Sequence, residues 1–388
     1  MWIPRQAEAL LSSLAQGFPI LALTGPRQSG KTALARRAFP AKPYVTLEDP
    51  DQRLFAQDDP RSFLERYPEG AILDEVQRVP ALLSYLQGIV DRAGRMGHFV
   101  LTGSQQFDLL AGVTQSLAGR IAILTLLPFS LAELAQAGRA PNNVALLLWQ
   151  GLYPPIYDRT VDAHVWYANY VATYLERDVR QALKVQDLDT FQRFLRLCAG
   201  RTGQLLNLVS LGSDAGISQP TARAWLSVLQ ASHVVYTLSP YHGNFNKRVI
   251  KTPKLYFYDP GLAAWLLGIQ QPAQIEAHPL FGALFETWVV SELTKSRFNR
   301  GLHSNLYFWR DRSGHEVDVL IDRGTERQPL EIKAGRTIAS DYFAGIDYWR
   351  SLVGATSSSA WLVYGGVERQ QRRGVQILPW YATAEIDP

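Results

Sequence analysis

The sequence has a single cysteine, Cys198, among 388 residues, so no internal disulfide can close and a zinc site built from several thiolates is excluded. It also lacks any apolar run near the eighteen or so residues that a membrane-spanning helix needs. The best stretch, Ile121 to Leu127, is closed by Arg120 and Pro128. Phe18 to Leu23 is apolar, but it has no charged lead of the right length and runs into a glycine-rich loop, which marks a buried strand and not a signal peptide. These absences lead to the expectation of a soluble, cytoplasmic protein with no membrane attachment. The histidines offer no cluster: His164, His278 and His303 are isolated and read as ordinary structural or surface residues. Charge is sparse and nearly balanced, and a net +4 spread over this length neither requires nor excludes a polyanionic partner. What is plentiful is apolar surface, at 47% of residues, enough for more than one packed core.

Four regions follow from the periodicities. Residues 1–127 alternate short apolar runs with helical stretches (PILALTG, KTALARRAF, PYVTLED, GAILDE, HFVLTGS), the pattern of a mainly parallel α/β sheet. Over 128–203 the strand signals vanish and LAELAQAG, ANYVATYLERDVRQAL and TFQRFLRLCAG carry apolar residues at helical spacing, which predicts an all-helical lid. Residues 204–272 read as a winged helix. Ser218 is a candidate N-cap, Pro220 sits in the first turn, and Ala222, Trp225, Leu226 and Leu229 form one stripe. HVVYTLSPY and KLYFYD then supply a hairpin. The last region, 273–388, runs helix, three strands, helix, strand.

Gly25–Thr32 reads GPRQSGKT, matching GxxxxGK[ST] directly after the apolar strand ILALT and before a helix. In that context the backbone of Gly25, Pro26, Arg27, Gln28, Ser29 and Gly30 would wrap the phosphates of ATP. Lys31 would reach the β- and γ-phosphates, and the Thr32 hydroxyl would bind Mg²⁺. GAILDEVQ then delivers two carboxylates at a strand end, Asp74 to hold the magnesium and Glu75 to orient or deprotonate the attacking water. Ser104, at the end of HFVLTGS, reads either as a γ-phosphate sensor or as a serine in a turn. Arg120 reads either as an arginine finger acting on a neighbouring subunit of a homo-oligomer or as a surface arginine.

The blocks TGPRQSGKT, AILDEVQRVP, LTGSQQF, LAGRIAILTLLPFSLAEL, GLYPPIY, YLERDVRQ and KLYFYDPGLAAWLLG occur in that order. They resemble the bacterial and archaeal AAA-type ATP-binding proteins that carry a C-terminal domain of unknown function 4143. The resemblance covers nearly the whole chain. It implies a P-loop AAA-type parallel sheet with a helical lid, followed by a winged helix and an α/β domain similar to the PD-(D/E)XK nuclease fold.

In HEVDVLI, strand alternation puts Glu316 and Asp318 on one face, and LEIKA does the same for Glu331 and Lys333. An Asp followed by ExK on adjacent strands is the arrangement by which PD-(D/E)XK enzymes hold Mg²⁺ and a lysine beside a scissile phosphate, with Glu286 at the usual position of their additional acid. No proline precedes Asp318, and the alternative is a degenerate nuclease fold retained for docking. Between Pro240 and Tyr258 there is no acidic residue, while Lys247, Arg248, Lys251 and Lys254 cluster in the expected wing, a composition suited to DNA phosphates. Arg223 is the only cation of the expected recognition helix. Two functions are therefore expected: Mg-dependent ATP hydrolysis coupled to DNA binding or processing, or a regulatory ATP-binding protein whose C-terminal modules bind another protein.

Overall fold

In the computed structural model, the structure describes residues 2–103, 117–159, 161–175, 187–243, 250–354 and 359–388. The chain forms two compact units. The first comprises Met1–Phe129 with Ala231–His233 and Phe298–Leu302; the second comprises Ser130–Gln230, Val234–Arg297 and His303–Pro388. No described helix is long and apolar enough to cross a membrane.

The first unit is built on five strands, β1 (Ile20–Thr24), β2 (Tyr44–Thr46), β3 (Ile72–Asp74), β4 (Phe99–Thr102) and β5 (Ile121–Thr125), in the order β2-β3-β4-β1-β5. Every pairing is parallel. A parallel sheet is covered on both faces, so its inner strands are apolar at consecutive positions, and β1 is buried at all five residues. The strand period then divides them: Ile20 and Ala22 pack with Leu73, Leu86, Phe99 and Leu101 on one face. Leu21 and Leu23 pack with Leu34, Ile72, Val100 and Leu124 on the other. Because all strands run the same way, the carboxyl ends of β1, β3 and β4 lie at one edge of the sheet, where ligands of open α/β sheets bind.

The second unit begins with helices only. Leu131–Gln136, Val144–Gln150, Pro154–Asp158, Ala163–Tyr170 and Leu188–Ala199 are helical, and no strand occurs among the described residues of 128–203. The helices Leu208–Ala215 and Gln219–Ala231 follow, then β7 (Val235–Leu238) and β8 (Lys254–Phe257), which form a three-stranded antiparallel sheet with the short β6 (Gln204–Leu205). The expected stripe of the helix Gln219–Ala231 is buried, with Ala222, Trp225, Leu226 and Leu229 at 5% exposure or less. Ser218 caps it, accepting the Thr221 N–H at 3.2 Å. The C-terminal sheet contains β9 (Leu306–Arg310), β10 (Glu316–Asp322), β11 (Arg327–Lys333), β12 (Ala360–Tyr364), β13 (Gln370–Arg372) and β14 (Val375–Pro379), in the order β13-β14-β12-β11-β10-β9. The helices Phe281–Asn299 and Ala344–Val353 precede β9 and connect β11 to its parallel neighbour β12. The sequence reading ends two strands short of this, without β13 and β14; β13 is the polar run Gln370–Arg372, which has no apolar period to announce it.

A buried carboxylate organises the junction between the helices and β8. Asp259, at 1% exposure, caps the helix Pro260–Leu266 by accepting the Leu262 N–H at 2.8 Å, and it also accepts the Leu152 N–H at 2.8 Å and the Tyr167 hydroxyl at 2.6 Å. Gly151 has φ +63°, and a Cβ there would lie 2.0 Å from the Tyr167 hydroxyl, so the chain can turn past this network only as glycine. Asp259→Ala is expected to leave three buried donors without their acceptor. At about 1–3 kcal/mol for each unsatisfied group, the loss is at least ~3 kcal/mol. Urea denaturation checks this, with Asp259→Asn, which retains one acceptor oxygen, expected to fall between the two.

Candidate functional site

The loop after β1 is constrained residue by residue. Gly25 has φ +136°, and a Cβ there would sit 2.1 Å from the Leu126 carbonyl oxygen, so any side chain would collide with backbone. Gln28 is left-handed at φ 60° and Gly30 at φ +92°, which turns the chain into the helix Lys31–Ala38 with no side chain capping its N-terminus. The loop is braced from outside the motif. The Arg5 guanidinium, 5% exposed, donates to the Ser29 carbonyl at 2.7 Å and to the Leu127 carbonyl at 2.6 Å, and it lies over the Phe129 ring at 4.9 Å. Lys31 is 6% exposed and folds back, its Nζ donating to the carbonyls of Gly25 at 3.1 Å and Pro26 at 2.7 Å.

The two halves of the site meet at Asp74, which is 8% exposed at the end of β3. Its Oδ1 accepts the Thr32 hydroxyl at 2.8 Å and the Thr102 hydroxyl; its Oδ2 accepts the Tyr44 hydroxyl at 2.8 Å. Burial, reinforced by Asp74, pushes the Tyr44 phenol up to about 12, so it stays protonated and donates. The next residue, Glu75, is left-handed at φ 55°, and its carboxylate accepts the Gln77 amide at 2.5 Å. His233, 3% exposed, is a further residue of this unit. Burial and the nearby Lys31 charge lower its imidazole to about 4, which keeps it neutral beside the loop. Sequence reasoning named Lys31, Thr32, Asp74 and Glu75 for this candidate site. It missed Arg5, Tyr44, Thr102 and His233, which lie outside the motif and carry no local signal.

These residues fit Mg-ATP. The helix N-terminus is an anion site with no side-chain cap, and the Ser29 hydroxyl is buried with no hydrogen-bond partner among the described residues. Thr32 and Asp74, the expected magnesium groups, are already in contact. Arg120 is engaged elsewhere: its Nε and Nη2 make a bidentate pair with Asp91 of the same chain at 2.6 and 2.9 Å. Ser104 lies outside the described residues.

The C-terminal residues are brought together, but not as expected. Lys333 Nζ lies 3.0 Å from Asp318 Oδ2 and 2.6 Å from Glu331 Oε2, and the Ile332 N–H donates to Asp318 at 2.8 Å. Glu286 accepts from Lys254 Nζ at 3.0 Å and from the Tyr256 hydroxyl at 2.5 Å. Among the described residues, no group of three His, Cys, Asp or Glu side chains is arranged to hold a metal ion. The carboxylates of Asp318, Glu331 and Glu286, expected to hold a metal ion, have the ammonium groups of Lys333 and Lys254 between them. Lys254 itself is corrected: at 3% exposure, it is a core cation and not a phosphate contact of a wing. Lys251 and Arg223 are exposed, while Lys247 and Arg248 lie outside the described residues.

The parallel sheet and its loop define a P-loop protein of the ATPase class. A model described as AAA domain matches residues 17–135, a domain of unknown function (DUF8612) matches 142–273, and a domain of unknown function (DUF4143) matches 281–383. The uncharacterized proteins Mb2031c of Mycobacterium bovis and Rv2008c of Mycobacterium tuberculosis are each 32% identical over 340 residues, 86% of this chain and 74% of theirs. Among solved structures, the Walker-type ATPase paby2304 of Pyrococcus abyssi is similar at 16% identity and a TM-score of 0.42, covering 67% of this chain and 94% of that one. The chain belongs to the AAA-type ATP-binding proteins that carry a C-terminal domain of unknown function 4143. Tyr44→Phe should leave the fold intact but raise the Mg²⁺ concentration needed for nucleotide binding about tenfold, since a hydrogen bond to a carboxylate is worth ~1.5 kcal/mol. A fluorescent-nucleotide titration at varied Mg²⁺ measures this.

Proposed function

We propose that the protein binds Mg-ATP at Gly25–Thr32 and hydrolyses it, coupling turnover to DNA through its C-terminal modules. The observation that carries the nucleotide half is the convergence of Thr32 and Asp74, at 2.8 Å, on one edge of the sheet. On binding, Lys31 would exchange its two loop carbonyls for phosphate oxygens. Thr32 and Asp74 would hold Mg²⁺, which supplies charge neutralisation at the phosphates. Glu75, released from Gln77, would orient and deprotonate the attacking water. Lys31→Ala should weaken ATP binding at least ~30-fold, the scale of removing one partner of a buried charge contact. Glu75→Gln should bind normally but turn over at least ~100-fold more slowly. Unchanged turnover in Glu75→Gln would remove Glu75 from the role of base.

The DNA half rests on the order helix, helix, hairpin over residues 204–258, which we read as a winged helix, with exposed Arg223 and Lys251 on it and with Lys247 and Arg248 shortly before Lys251 in sequence. One observation favours the alternative, a regulatory protein that binds another protein: Lys254 is turned inward, leaving the wing with one cation fewer. Salt separates the two. Replacing Lys247, Arg248 and Lys251 by Ala should lower DNA affinity and flatten its salt dependence by about one unit of slope per lost phosphate contact. Fluorescence anisotropy at several salt concentrations, with the ATPase rate measured with and without single- and double-stranded DNA, provides the test. Unchanged affinity and no DNA effect on turnover would favour the protein-binding reading.

A further inference from the structure

The C-terminal carboxylates are held by the chain's own cations, and the centre of that arrangement is a residue of a different sheet. Lys254 begins β8, the middle strand of the three-stranded sheet. Its Nζ lies 3.0 Å from Glu286 Oε1, on the helix Phe281–Asn299, and 2.5 Å from Glu316 Oε1, on β10. It also sits over the Phe308 ring of β9 at 5.5 Å. Its side chain is 4% exposed, so this ammonium has exchanged its water almost entirely for protein. Burial alone would lower its pKa, but Glu286, Glu316 and Asp318 outweigh burial and hold it above the ordinary lysine value. Lys333 plays the same part between Asp318 and Glu331. Arg310 adds a third cation, 3.1 Å from Glu316.

We propose that Lys254 is the resident cation of this centre: its ammonium occupies the space among Glu286, Glu316 and Asp318 that a divalent ion would need, so the native chain keeps the centre closed without metal and fastens β8 to β10 and the helix Phe281–Asn299. Two carboxylates from separate elements repel unless a cation lies between them, and here the cation comes from a third element. Removing it takes from Glu286 its cation and leaves Glu316 and Asp318 with Arg310 and Lys333 alone, an excess of negative charge that would attract a divalent ion. The proposal is independent of the nucleotide reading, because none of these groups belongs to the P-loop unit.

The test uses the full-length, nucleotide-free protein and Mn²⁺ as probe, followed by calorimetry and thermal melts. The wild type is expected to bind no Mn²⁺ in a manner that depends on Asp318, and its melting temperature should not respond to millimolar Mn²⁺ or to EDTA. Lys254→Met should be less stable and should gain one Mn²⁺ site at least ~10-fold tighter than anything in the wild type, lost again in Lys254→Met/Asp318→Asn. Asp318-dependent Mn²⁺ binding by the wild type would overturn the proposal, as would a folded Lys254→Met that gains no site. Should Lys254→Met fail to fold, Lys254→Met/Glu316→Gln removes the ammonium with one of its carboxylates and should refold. The melts decide without any Lys254 variant, since a clear stabilisation of the wild type by Mn²⁺ that disappears in Asp318→Asn means that a metal and not Lys254 neutralises the centre.

Discussion

A carboxylate taken out of water must collect donors or cations, and each unit of this protein is arranged around one that does. In the P-loop unit it is Asp74. Its two oxygens draw Thr32 from the helix after β1, Thr102 from the end of β4 and Tyr44 from the start of β2. Three elements far apart in sequence are thereby fixed at one edge of the sheet. Leaving such a group unsatisfied would cost more than any one of the contacts contributes. The interaction that makes the site chemically useful is thus also the one that sets its geometry.

In the second unit, Asp259 satisfies the same requirement with neutral donors and Glu286 with a charged one. The difference is instructive. Asp259 accepts two backbone N–H groups and a phenol, which ties the helical segment before residue 170 to the helix Pro260–Leu266. One family model spanning residues 142–273 is consistent with that tie, since it treats as one piece what composition divides near residue 203. Glu286 instead meets Lys254 and Tyr256, both from β8. Neutral donors make a rigid joint. A lysine makes a joint whose strength depends on a charge balance among several carboxylates.

The pattern of the candidate nucleotide site is legible in the sequence because it is local. Gly25, Gly30, Lys31 and Thr32 lie within one turn and the start of one helix, and Asp74 and Glu75 end a strand whose apolar run is unmistakable. The helix Gln219–Ala231 was legible for the same reason, its stripe and its Ser218 cap falling within a dozen residues. Arg5 and Tyr44 were not, because an arginine near a terminus or a tyrosine in a strand acquires its role only when tertiary structure presents Ser29, Leu127 or Asp74 to it. Lys254 misled for a sharper reason. Its neighbours Lys251, Arg248 and Lys247 make a basic cluster, and local composition cannot distinguish the one cation that begins a central strand from those in the connection before it.

Lys31 shows how the constraint becomes function. Its ammonium is bonded to the carbonyls of Gly25 and Pro26, so the loop carries its own provisional occupant and the buried charge is never without partners. A phosphate entering the loop has to offer Lys31 more than two neutral carbonyls do, and an anion does so, since charge-assisted hydrogen bonds are roughly twice as strong as neutral ones. The same loop holds the buried Ser29 hydroxyl and the uncapped amides of the following helix, donors that an anion would satisfy together with the lysine. Under the proposed function, selectivity for a polyphosphate would follow from this competition. A ligand with one weakly charged oxygen would displace the lysine without satisfying the amides, whereas a chain of phosphates satisfies both, and so repays the rearrangement of Lys31.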